Sequence, residues 1–182
     1  MKGVVFTEFL EMVEDKFGED MADDIIEAKP LPSNGVYTSV GTYEYTEMVQ
    51  LVVNLSEESG IPVPNLLKIY GEHLFTRFVA GYSHFFEGVD SLFDFMQNLH
   101  GYIHAEVHKL YPEAELPHIS CAFLKPNELQ VNYRSERPFA DFAEGLMTGA
   151  IAHFNEPITI KRSDIPDTNG RAATFILIKQ EQ

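Results

Sequence analysis

Cysteine is almost missing from this chain: Cys121 is the only one in 182 residues. The protein can therefore form no internal disulfide, no iron–sulfur cluster held by four thiolates and no Cys-rich zinc knuckle, and a reducing cytoplasm is the expected compartment. Tryptophan is absent, and basic residues are scarce. Thirteen Lys and Arg against 28 Asp and Glu leave a net charge of −15. That charge repels nucleic-acid phosphates and anionic lipid, and no basic run offsets it locally, so neither nucleic acid nor a membrane is an expected partner. No apolar run approaches the ~20 residues of a membrane span, and the first residues show no targeting pattern. Repeats and low-complexity stretches are lacking too, which excludes solenoids and propellers.

What remains is enough apolar material, 45% of the residues, to bury the core of one ordinary domain. A single domain spanning residues 1–182, monomeric and built of two lobes, is the expectation. The patterning changes near residue 115. Before it, helical spacing predicts helices over about 2–17, 19–27, 43–58 and 63–80, with a Pro- and Gly-bearing loop over 28–42. A long helix over about 89–111 follows, its stripe made by Leu92, Met96, Leu99, Ile103, Val107 and Leu110, closed by Pro112. After Pro117 the pattern alternates: strands over 119–124 and 128–135, a helix over 139–153, and strands over 157–162 and 172–178. This is an α+β chain, helical first and then a small antiparallel sheet with a helix.

Two groups of residues carry chemistry. Tyr133, Ser135 and Arg137 are spaced i, i+2, i+4, so on a continuing strand they share one face, beyond the apolar Leu129 and Val131. Two hydroxyls and a guanidinium converging on one spot form a receptor for carboxylates, although an amphipathic strand running out into solvent has the same pattern. The long helix carries His100, His104 and His108 at i, i+4, i+8. Periodicity alone does not choose among them, and such a row can also bind a transition metal. The aromatic stretch from Phe75 to Phe95 suits either a flat ligand or ordinary packing, Pro117 suits ordinary punctuation between helix and strand, and Cys121 suits a small packing residue.

These residues resemble one family closely. Tyr133-Arg134-Ser135-Glu136-Arg137 is similar to the Tyr-x-Ser-x-Arg signature of haem-nitric oxide/oxygen binding (H-NOX) domains, which grips the two haem propionates. His104 stands seven residues before the Tyr111-Pro112 pair, as does the family's iron-ligating histidine. The resemblance covers essentially the whole chain. It implies an H-NOX fold: a helical distal lobe (about 1–62), a proximal lobe with a four-stranded antiparallel sheet and helices (about 63–182), and haem b between them. It also implies His104 as the proximal iron ligand, with Pro117 packed on the haem and holding it out of plane. Counting onward from Arg137 places Phe142 where oxygen-binding relatives carry a distal tyrosine, and similar counting puts Val5, Phe9, Leu74, Phe78 and Leu146 in the haem pocket. Bound O₂ gains from a nearby donor, whereas NO binds ferrous iron strongly without one.

The expected function is thus a non-enzymatic sensor that binds NO, and also CO, without stable O₂ binding. Weakening or rupture of the bond between iron and His104 would shift the lobes and regulate a separate histidine kinase or a diguanylate cyclase or phosphodiesterase. Two rivals stand beside it: an O₂-binding haem carrier or sensor, which needs a distal donor, and a haem-free metal-binding protein using the helical histidines. No Gly-x-Ser-x-Gly, His-Glu-x-x-His or Walker sequence supports a hydrolase or nucleotide enzyme.

Overall fold

The computed structural model describes residues 1–112 and 114–180, with the side chains of His100 and Leu110 outside the description. The helices are α1 (Gly3–Phe17), α2 (Glu19–Glu27), α3 (Tyr45–Ser59), α4 (Val63–Gly81), α5 (Leu92–Asn98), α6 (His104–Leu110) and α7 (Ala140–Phe154). The strands are β1 (His118–Lys125), β2 (Glu128–Arg134), β3 (Ile158–Asp164) and β4 (Ala172–Lys179).

Local chemistry sets the boundaries. In α1, Phe6, Phe9, Met12 and Val13 recur at helical spacing and are buried, and Gly18, at φ 98°, ends the helix with its N–H on the Glu14 carbonyl. α4 begins at Pro62-Val63-Pro64, where a missing N–H costs nothing. Ser91 caps α5 by accepting the Asp94 N–H. α7 stops at Asn155, which takes the left-handed conformation at φ 51°.

One expected element divides. The single helix read over 89–111 is α5, a π turn over Leu99–Ile103, and then α6. The π turn leaves the His104 N–H bonded to the Leu99 carbonyl, five residues back rather than four. Side-chain spacing gave no sign of this, because the stripe of apolar residues continues through it.

The strands form one antiparallel sheet in the order β1-β2-β4-β3. Leu129, Val131 and Tyr133 alternate inward on β2, and Val131 pairs with Phe175 and Tyr133 with Ala173 on β4. Strand pairing ends at Arg134, one residue short of the expected end, although the Ser135 N–H still reaches the Arg171 carbonyl at 2.8 Å.

Two apolar clusters result. One gathers α1, α2, α3 and the first part of α4, with Phe6, Phe9, Met12, Leu51, Leu55, Leu66 and Tyr70. The other lies over the sheet, with Phe75, Leu92, Met96, Val131, Met147 and Phe175. α4 contributes residues to both clusters. It reaches the sheet side by packing against α7 at backbone range. A Cβ on Gly71 would lie 2.4 Å from the Phe142 carbonyl oxygen, and one on Gly145 would lie 2.2 Å from the Lys68 carbonyl oxygen. Only hydrogen fits at these two crossings. A network of charges seals their rim: Lys68 of α4 pairs with Glu144 of α7, and Arg162 of β3 pairs with Asp141 and Glu144. No helix among the described residues is long and apolar enough to cross a membrane.

Candidate functional site

Between the two clusters lies a cavity of about 330 Å³, within the usual range of small-molecule pockets. Its walls come from separate parts of the chain. α1, α4 and α7 contribute Val4, Val5, Leu74, Phe75, Phe78, Phe142, Ala143, Leu146, Met147 and Ala150, every one apolar. The opposite side is built from Ile103, His104, Val107 and Tyr111, followed by Pro117 and Ile119. Tyr133, Ser135 and Arg137 supply a polar edge.

The π turn explains why His104 is on this wall. A one-residue insertion sets every later residue back by about 100° on the helical wheel. His104 thereby takes the direction that position 103 would hold in an unbroken helix, on the apolar stripe. His108 is exposed, and the side chain of His100 lies outside the described residues. Among the described residues no group of three or more His, Cys, Asp or Glu could hold a metal ion.

The polar edge forms by a different route from the one expected. Ser135 and Arg137 lie past the end of β2, in the turn that leads into α7. The Ser135 hydroxyl accepts the Arg137 N–H at 3.1 Å, and this bond folds the turn. Burial pushes the Tyr133 hydroxyl's pKa up, while the neighbouring Ser135 and Arg137 pull it down. Arg137 is already holding a carboxylate. Its guanidinium pairs with Glu115, donates to the Glu115 carbonyl at 3.3 Å and lies 5.9 Å from the Tyr45 ring centre. Glu115 is 74% exposed and Arg137 only 12%, so the carboxylate is free to swing away while the guanidinium is fixed in place.

A flat apolar group with carboxylates at one edge fits this arrangement. The walls are apolar, the edge presents hydroxyls and a carboxylate-binding guanidinium, and an imidazole stands on one face. The comparisons with known proteins agree. A family model described as Haem-NO-binding matches residues 2–162. The chain belongs to the H-NOX family.

Among solved structures, the H-NOX fold is matched along its whole length. The chain is similar to an H-NOX protein from K. algicida, solved in the Fe(II) unliganded state, with 40% identity, a TM-score of 0.93, and coverage of 100% of this chain and 98% of that one. It is similar to the H-NOX of Shewanella woodyi in the Fe(II)CO state, with 40% identity, a TM-score of 0.84, and coverage of 99% and 95%. It also resembles an H-NOX protein from S. oneidensis in the Fe(II)NO state, with 28% identity, a TM-score of 0.90, and coverage of 100% of both chains. No curated protein sequence matches it. The family is one of haem-binding gas-sensor domains.

Within the H-NOX cavity, Val5, Leu74, Phe78, Phe142 and Leu146 line the wall with Pro117 and His104, but Phe9 does not. Phe9 is fully buried one layer back, its ring 5.1 Å from Tyr70 in an edge-on contact. Counting along a helix finds the face that points inward, and it does not find how many layers deep that face is. Behind the apolar wall, the Tyr70 ring stacks on Phe142 at 5.1 Å and carries a hydroxyl. That hydroxyl is committed to the Val5 carbonyl.

Sequence reasoning missed several lining residues. Lys2, Tyr82, Tyr111 and Glu115 all reach the cavity. Tyr111 was present in the family motif as a landmark only, and Tyr82 sits in the aromatic stretch. Lys2 and Glu115 had no local signal, because each comes from a segment placed by tertiary packing.

Proposed function

We propose that this H-NOX domain is an NO sensor that carries haem b, with His104 as the iron's protein ligand and Tyr133, Ser135 and Arg137 on the propionates. The observation that carries this reading is one cavity with His104 on one wall, only apolar side chains from α1, α4 and α7, and a carboxylate-binding edge. Bound ferrous haem, held by His104, would supply an iron able to bind NO or CO, and NO would weaken or break the iron's bond to His104.

The chain's own residues do the rest. Arg137 exchanges the exposed Glu115 carboxylate for a propionate, keeping a charge-assisted pair in place of the one it gives up. Pro117 lines the cavity along with His104 and would pack against the bound group. The wall around Phe142 offers no donor, so a ligand that depends on a hydrogen bond gains nothing there, while NO and CO lose nothing. α6 moves with His104, and the lobe of about 1–62 turns against that of about 63–182. The signal requires a partner whose affinity differs between the two arrangements. We infer a separate histidine kinase or cyclic-di-GMP enzyme as that partner, with this domain a cytoplasmic monomer that has no catalytic activity of its own.

The test is replacement of single histidines in the haem-loaded protein. His104→Gly is expected to abolish the iron–histidine vibration of the ferrous state, while His100→Gly and His108→Gly retain it. Retention of that vibration in His104→Gly would refute the assignment.

A further inference from the structure

Three helices make the apolar wall of the cavity, and one side chain joins all three. Tyr70 of α4 is buried. Its ring stacks on Phe142 of α7, the planes 24° from parallel, and meets Phe9 of α1 edge to face at 5.1 Å. Its hydroxyl donates to the carbonyl of Val5, in the first turns of α1. Tyr70 does not line the cavity, but two of these three partners, Val5 and Phe142, do.

This tie differs in kind from the others between α1 and α4. Arg77 pairs with Glu8 and Glu11 while itself half exposed, and ion pairs in such a position contribute little. The Tyr70 bond lies inside the apolar cluster, where breaking it leaves a hydroxyl with no water to turn to. The Val5 side chain faces the cavity from the very backbone unit that the hydroxyl holds. Moving that side chain outward therefore means breaking the bond.

We propose that Tyr70 is a positioning residue for the gas-facing wall: through the Val5 backbone it fixes the room in front of Val5 and Phe142, so that diatomic ligands bind with the wall in place and bulkier ones must first displace it. This rests on the reading that haem fills the cavity with its gas site on the Phe142 side. The displacement should cost a bulky ligand about fivefold in affinity, the factor an ordinary net hydrogen bond carries, and should cost a diatomic nothing.

The experiment titrates haem-loaded ferrous protein with CO and with tert-butyl isocyanide, which bind ferrous iron through carbon, and follows the Soret band. Tyr70→Phe keeps the ring and both ring contacts and removes only the hydroxyl. Ile25→Val trims the same apolar cluster away from the cavity lining and controls for lost stability. Val5→Ala, with and without Tyr70→Phe, shortens the side chain that has to move. Relative to CO, Tyr70→Phe should bind the isocyanide about fivefold more tightly, Ile25→Val should leave the ratio unchanged, and Tyr70→Phe should gain less than fivefold in the Val5→Ala background. An unchanged ratio or weaker isocyanide binding in Tyr70→Phe, an equal gain in Ile25→Val, or the full gain in the Val5→Ala background would overturn the proposal. Failure of the functional reading is distinct, because it appears in the parent as no haem uptake. Amide hydrogen exchange of α1 in the haem-free proteins then still reports on Tyr70: it should be faster in Tyr70→Phe than in Ile25→Val, and equal rates would show that the hydroxyl does not hold the helix.

Discussion

Replacing Gly71 by alanine tests whether the α4–α7 crossing controls the cavity. The new Cβ would lie 2.4 Å from the Phe142 carbonyl oxygen and 2.6 Å from the Leu146 nitrogen. Both are backbone atoms inside α7, so no side chain can rotate out of the way. The helices must separate by about 1 Å to recover an ordinary contact of 3.4 Å. Overpacking of this kind costs ~1–3 kcal/mol. For a chain of this length each kcal/mol lowers the melting midpoint by about 2–4 °C, so the haem-free protein should melt roughly 2–12 °C lower. Gly81, at the end of α4, has no atom within 4 Å of a Cβ and supplies the control. Gly81→Ala should leave stability within about 1 kcal/mol of the parent, and on the stabilising side. Because Phe142 and Leu146 line the cavity, Gly71→Ala should also release haem to apomyoglobin faster than the parent, and Gly81→Ala should not. Equal melting of Gly71→Ala and the parent, or an equal loss in Gly81→Ala, would refute the reasoning.

Three further outcomes follow from the same structure. Burial pushes the Cys121 thiol up to about 11, and its Sγ lies 3.5 Å from the Met96 carbonyl oxygen; iodoacetamide should alkylate the native protein about a hundredfold more slowly than the urea-unfolded chain at neutral pH, and equal rates would show the site wrongly described. His73 of α4 lies 3.8 Å from Glu8 of α1, and burial outweighs that carboxylate to hold its imidazole below the ordinary 6.5. The unfolded chain then binds the proton first, so this contribution to stability is complete above about pH 6.5 and declines as the pH falls toward the folded-state value. Urea midpoints of His73→Gln should fall less steeply than the parent's over that window, and a steeper fall would reverse the sign. Arg137→Leu should weaken haem retention by about tenfold or more, the worth of a charge-assisted pair; unchanged transfer to apomyoglobin would remove Arg137 from the propionate role.

Much of this was legible before any coordinates. The stripes of α1, α3 and α4 and the alternation of Leu129, Val131 and Tyr133 reflect burial on one face, and burial on one face is what periodicity records. The Tyr133–Ser135–Arg137 set was found through its spacing, yet it converges through a turn folded on the Ser135 hydroxyl rather than along a strand. The place of His104 on the cavity wall was not singled out by the wheel. It depends on an extra residue in the π turn, a backbone feature that leaves the side-chain pattern intact. Lys2, Glu115 and Tyr82 were invisible as site residues because their positions come from packing between distant segments, and Phe9 was placed one layer too near the cavity for the same reason.

The most direct test of the account is the visible absorption spectrum of the purified, haem-loaded protein, reduced with dithionite and then freed of it, recorded under argon, then in air, then with NO. An NO sensor with an apolar wall at Phe142 predicts a Soret band that stays put in air and shifts on adding NO. A stable new spectrum in air would contradict selectivity for NO, and a protein that takes up no haem would contradict the central claim.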